Sequence, residues 1–175
     1  MSRVELLPED WSEPEDVVTA MKARRGGKLN EADRLLLHAP DFARGFNLLM
    51  GTVRNALTIE PYYKELAICG VGYLNGSEFE VDNHLPILIA EGATAEQISA
   101  LENFEKAPLR TDIFTEKACA IMQFTVEMTR DVTVSDETFE RVKKNMSASR
   151  QVVELAGIIS SYNMASRFLT ALGVE

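Results

Sequence analysis

The stretch "KELAICGVGYLNGSEFEVDNHLPILIAEGAT", residues 64–94, decides how this chain is built. Its first part, "ELAICGVGYL", is almost uncharged and is followed at once by Asn75-Gly76, a pair that breaks regular structure. Pro61 suits the first position of a helix, which predicts a helix running to about Leu74. A second helix is expected to begin at Ser77 and to run to Gly92. Ser77 with Glu80 three residues later has the form of a capping box, and an apolar run follows it. Two successive helices joined by a tight turn are therefore expected.

Working outward, strand signals are nearly absent and caps followed by 3.6-periodic apolar positions recur. A helix is expected from about Glu15 to Arg24, stopped by Gly26 and Gly27, and Asn30 can cap a short one through His38, ended by Pro40. Phe42, Phe46, Leu49, Val53 and Leu57 fall on one face of a long helix. "TAEQ" from Thr94 is a second capping-box candidate. Helices from about Asp112 to Arg130, Ser135 to Asn145 and Ser149 to Leu172 complete the chain, with Gly173 as the stop. No repeat or low-complexity tract interrupts the pattern. The expectation is a single all-α domain over residues 1–175, with about 1–14 as an N-terminal arm.

Composition narrows the function. The 175 residues carry 18 basic and 27 acidic side chains, a net charge of −9. Such a surface repels phosphate backbones, so a nucleic-acid partner is not expected. No apolar run reaches the roughly 18 residues of a membrane span, and the acidic N-terminus lacks the layout of a signal peptide. A cytoplasmic protein without a membrane partner is expected. The two cysteines, Cys69 and Cys119, lie far apart in apolar stretches and belong to no C-x-x-C pair. The last helix carries few charges, and "LAGIISSYNMASRFLTALG" needs cover on most sides, as does "ELAICGVGYL". Part of that cover is expected from a second copy of the chain.

Candidate chemistry sits in the same opening stretch. Ser77, Glu80 and His84 are spaced i, i+3 and i+7, which puts them on one helix face. Glu80 can orient His84 by accepting a hydrogen bond from one ring nitrogen, leaving the other for a ligand. Ser77 lies where backbone N–H groups and the helix dipole favour an anion. Glu65, one helix earlier, can be folded back onto this face by the Asn75-Gly76 turn. Two carboxylates and an imidazole in one pocket suit general acid–base work. A metal site of Glu65, Glu80 and His84 would lack a second histidine. His38 precedes a proline-terminated helix end, where a structural role is expected. Tyr162 and Asn163 interrupt an apolar helix, so they either line the pocket or bridge subunits.

These residues resemble those of the carboxymuconolactone decarboxylase family, which also contains alkyl hydroperoxidase D. The family pattern has a Glu, then a Cys twelve residues on, a Cys or Glu three further and a His four after that. Here those positions are Glu65, Ser77, Glu80 and His84. "ARRGGKLNEADRLLLHAPDFARGFNLLMGTVR" is similar to the family's N-terminal segment and "VVELAGIISSYNMASRFLTALGVE" to its C-terminal helix. The resemblance implies an all-helical bundle of about seven to eight helices and assembly as a homodimer, trimer or hexamer.

The departure from the pattern is Ser77 and Glu80, where the peroxidase branch has its C-x-x-C. Peroxide reduction there needs an activated thiolate and a resolving thiol, and a serine hydroxyl forms no disulfide. The resemblance to the decarboxylase branch implies a lyase or proton-transfer enzyme, without a cofactor or metal. Its substrate would be a small carboxylated lactone or conjugated carbonyl compound. On that reading His84 is the acid, Glu80 its orienter and Glu65 a second proton-transfer group. Arg44, Arg54 and Arg167, all in family-like segments, are candidate anchors for a substrate carboxylate. The alternatives are a thiol peroxidase and a non-catalytic oligomer that binds a small molecule.

Overall fold

A computed structural model describes residues 2–174. Among them are nine α-helices and no strand. They are α1 (Glu15–Arg24), α2 (Glu31–Leu36), α3 (Pro40–Asn55), α4 (Pro61–Asn75), α5 (Glu78–Ala90), α6 (Ala95–Leu101), α7 (Glu116–Arg130), α8 (Asp136–Asn145) and α9 (Ser149–Leu172). A single 3₁₀ turn at Ala107–Leu109, which no sequence signal marked, precedes α7. The short α2 and α6, both expected from their caps, are opened by complete capping boxes, Asn30 with Asp33 and Thr94 with Gln97, and bring the count among the described residues to nine, where the family resemblance implied about seven to eight. No helix among the described residues is long and apolar enough to cross a membrane.

The chain divides into two compact units, residues 1–57 with 168–175, and residues 58–167. In the first, Asp33 is fully buried and met by Arg24 at 3.3 Å and Arg25 at 3.1 Å, which ties the end of α1 to α2. Pro40 does not end α2. It opens α3, at the start of a helix where its missing N–H is harmless. The α3 face is only partly covered: Phe46 and Val53 are buried while Phe42 and Leu49 stay exposed. The N-terminal arm is fixed to this unit. The Arg3 N–H donates to the Leu172 carbonyl at 2.7 Å, and the His38 ring donates to the Glu5 carbonyl at 2.8 Å.

The second unit holds the main core, in which Leu66, Leu74, Leu88, Leu101, Phe104 and Met122 are all buried. Helix α4 packs against both α5 and α7. Two of its glycines make that possible. A Cβ on Gly70 would stand 2.2 Å from the Phe104 ring, and one on Gly72 would stand 2.9 Å from Val81 on α5. Gly76 closes α4 in the left-handed region at φ 63°, the conformation a side chain would strain, and Ser77 then starts α5. The turn expected at Asn75-Gly76 is thus what brings α5 back along α4.

Candidate active site

Helices α4, α5 and α9 each contribute to one buried polar cluster. Glu65 from α4, Glu80 and His84 from α5, and Tyr162 from α9 are all enclosed, His84 to 1 % exposure. His84 Nδ1 lies 2.6 Å from Glu65 Oε2, a short charge-assisted bond. With Nδ1–H donating to the carboxylate, Nε2 is left to accept from the Tyr162 hydroxyl at 3.1 Å. The two rings stand edge to face, centroids 5.0 Å apart at 88°. Glu80 Oε2 lies 3.6 Å from Nε2, too long for a strong hydrogen bond. Lys64 Nζ approaches the far oxygen of Glu65 at 3.7 Å.

The roles of the two carboxylates are the reverse of the sequence expectation. Glu65, nineteen residues away in sequence, orients the imidazole, while Glu80 stands at the other nitrogen. The capping box also fails to form. Ser77 occupies the N-cap position with an extended backbone, but its side chain makes no cap hydrogen bond. Glu80 turns inward to His84 instead of back to the helix start, because the bare Gly72 lets α5 lie close enough to α4 to bury it. Ser77 is 3 % exposed, and its buried hydroxyl has no hydrogen-bond partner among the described residues.

Of the other expected site residues, Tyr162 meets His84 directly, and its neighbour Asn163 does not. Asn163 accepts from Asn75 at 3.1 Å and donates to Thr129 Oγ1 at 2.9 Å, joining the ends of α4 and α7 to α9. Arg167 donates to the Asn163 side chain and, at 3.2 Å, to the Thr129 carbonyl. Asn163 and Arg167 are therefore parts of a structural clasp. Asn75, Thr129 and Ser166, which accepts from Asn75 at 2.7 Å, complete it, and nothing in the sequence singled them out beyond the polar interruption of α9. Arg44 is at the surface of the other unit, paired with Asp16. Arg54 stands half-buried on α3, also in that unit.

Neither cysteine is prepared for redox work. Burial pushes the Cys69 thiol up to about 12, aided by the nearby Glu65 charge. Burial likewise raises Cys119. Both sit in the apolar core of the second unit, far from the electropositive setting that a reactive thiolate needs.

The all-helical fold is that of the alkyl hydroperoxidase D-like proteins. Residues 40–123 match the model of the carboxymuconolactone decarboxylase family. Among solved structures, the debrominase Bmp8 is similar at 17 % identity and a TM-score of 0.79, over 100 % of this chain and 92 % of that one. A peroxidase-related protein with an alkylhydroperoxidase AhpD core from Ralstonia eutropha JMP134 is similar at 17 % identity and a TM-score of 0.78, over 99 % and 91 %. A second peroxidase-related protein, from Silicibacter sp. TM1040, is similar at 13 % identity and a TM-score of 0.75, over 99 % and 91 %. At these identities the likeness is one of fold. No curated protein matches the sequence.

Proposed function

We propose that this protein is an acid–base enzyme that moves a proton on a small conjugated carbonyl compound or lactone without a cofactor. The 2.6 Å bond between Glu65 and His84 carries this reading. A buried carboxylate fixes one tautomer of the imidazole and stabilises the imidazolium, so the ring can take and return a proton at Nε2. Because His84 is enclosed, the proton passes through Tyr162 or Glu80, the two groups at that nitrogen. The reaction class is removal of a proton beside a carbonyl, spreading of the electron pair onto the carbonyl oxygen, and return of the proton to carbon. The carboxy-lyase variant of the family shares the last step: loss of CO₂ leaves the same electron pair, which is then protonated.

The thiol-peroxidase reading is disfavoured by the raised Cys69 and Cys119 thiols and by Ser77 and Glu80 in place of a C-x-x-C. The near-complete burial of His84 favours a second reading, a non-catalytic protein that binds a small molecule. Incubation with a panel of conjugated lactones and their carboxylated forms in D₂O, followed by NMR, separates the two. The enzyme reading expects deuterium at carbon or release of CO₂, reduced by about 10²-fold or more in His84→Ala with folding intact. Equal rates in that variant and wild type would remove the mechanism.

A further inference from the structure

A cavity of about 400 Å³ lies in the first unit. Leu7, Trp11 and Glu13 of the arm line it, with Pro14 and Pro40 at the starts of α1 and α3 and Leu37 and His38 at the end of α2. Side chains of α2 hold the arm over it: Arg34 donates to the Leu7 carbonyl, and His38 to that of Glu5. The volume falls within the roughly 300–1,000 Å³ of sites that take a whole small molecule. None of these residues belongs to the unit that carries Glu65 and His84, so the cavity is independent of the acid–base reading.

The donors and acceptors of the lining set the charge of a ligand. Its side-chain donors are already spent: the Trp11 indole N–H donates to the Glu13 carbonyl and the His38 ring to the Glu5 carbonyl. The backbone N–H groups of Trp11, Leu37 and His38 go to the carbonyls of Pro8, Asp33 and Leu35, and the two prolines have none. Acceptors remain. Glu13 is exposed, and its carboxylate has no ion pair among the described residues. A neutral His38 ring with its N–H committed keeps a lone pair on the other nitrogen. The half-buried indole of Trp11 adds the negative face of a π-system. No Lys or Arg stands in the lining, and Arg34, which holds Leu7, lies 3.9 Å from the Glu9 carboxylate. The helix starts at Pro14 and Pro40 carry about half a positive charge each, but Glu15, Asp16 and Asp41 in their first turns more than offset it.

We propose that this cavity binds a small organic cation, an ammonium on an apolar body, its charge shared between the Glu13 carboxylate and the face of Trp11. Leu7, Pro14, Leu37 and Pro40 receive the apolar body. A neutral compound of the same shape gains the apolar contacts alone, and a carboxylate meets only acceptors.

Trp11 is the only tryptophan, so its fluorescence reports on this cavity directly. Titration of the full chain with phenethylammonium is expected to change that emission saturably. 2-Phenylethanol should bind about 3–30-fold more weakly, the combined effect of an exposed ion pair and a cation–π contact. 3-Phenylpropanoate should leave the emission unchanged, and added salt should weaken the ammonium. By calorimetry, Glu13→Gln should lower ammonium affinity by about 2–5-fold. Trp11→Leu should lower it by about fivefold or more, and Trp11→Phe, which keeps a π face, by less. Glu13 is exposed and outside every helix, so its variant keeps the fold, and wild-type affinity in Glu13→Gln would overturn the proposal. So would the alcohol or the carboxylate binding as tightly as the ammonium, or no saturable change up to about 10 mM.

Discussion

Replacing Glu65 with Gln tests whether the carboxylate, and not merely its shape, governs His84. The substitution keeps the side-chain length and an acceptor oxygen but removes the charge at 2.6 Å from Nδ1. A hydrogen bond to a charged group contributes about 1.5–3 kcal/mol net and a neutral one about 0.5–1.5, so the exchange should cost about 1–1.5 kcal/mol. The new amide also loses the attraction of Lys64 at 3.7 Å, bringing the total to about 1–2 kcal/mol. For a chain of 175 residues that is a fall in Tm of about 2–8 °C. The functional effect runs through the imidazolium, which the amide stabilises less. If the loss falls wholly on the charged state, proton transfer slows by about 5–30-fold. Calorimetric melting gives the first number. Imidazole ¹⁵N NMR shows whether Nδ1 keeps its proton, and it needs no substrate. Stability within about 0.5 kcal/mol of wild type together with an unchanged tautomer would show that Glu65 does not hold the ring.

Two further outcomes follow from the geometry. Gly70→Ala should destabilise the second unit by about 1–3 kcal/mol or more, outweighing the roughly 1 kcal/mol that alanine adds to a helix, because the new Cβ meets the Phe104 ring at 2.2 Å; the double variant with Phe104→Leu should recover part of the loss in urea unfolding, and full stability of the single variant would contradict the packing. Burial works to raise Glu127 and Glu154, yet hydrogen bonds from Thr138, Gln123 and Ser135 to the first and from Arg150 and Thr58 to the second hold both below the usual carboxylate range. A lowered folded-state pKa stabilises above the unfolded value of about 4.3 and is lost as pH falls through the folded one, so urea stability should drop below about pH 4 and drop less steeply in Glu154→Gln.

The helical architecture was open to sequence reasoning wherever local chemistry decides it. Pro61, the Asn75-Gly76 break, the Asn30 and Thr94 boxes and the stop at Gly173, which sits at φ 72°, are all determined by the residue and its immediate neighbours. The chain also placed Glu65, Glu80 and His84 in one cluster, since a tight turn between two helices leaves little choice. What failed needed tertiary knowledge. The S-x-x-E pattern at Ser77 is the same string whether Glu80 turns back to the helix start or inward. The choice depends on Gly72 and Val81 packing, which no spacing rule contains. The partner of Tyr162 and the clasp of Asn75, Thr129, Ser166 and Arg167 join residues up to 91 positions apart. Periodicity could say only that polar atoms in α9 required partners.

The two glycines of α4 have a consequence for rate as well as for packing. Gly70 is pressed by Phe104 and Gly72 by α5, so the helix is gripped on different sides at positions two residues apart. A helix held in that way cannot slide or roll to search for its partner. The carboxylate it carries and the imidazole on its neighbour are set in their geometry when the chain folds. The ordering entropy of the pair is therefore absorbed by folding, and on the proposed acid–base reading a reaction at this site would begin from groups already aligned.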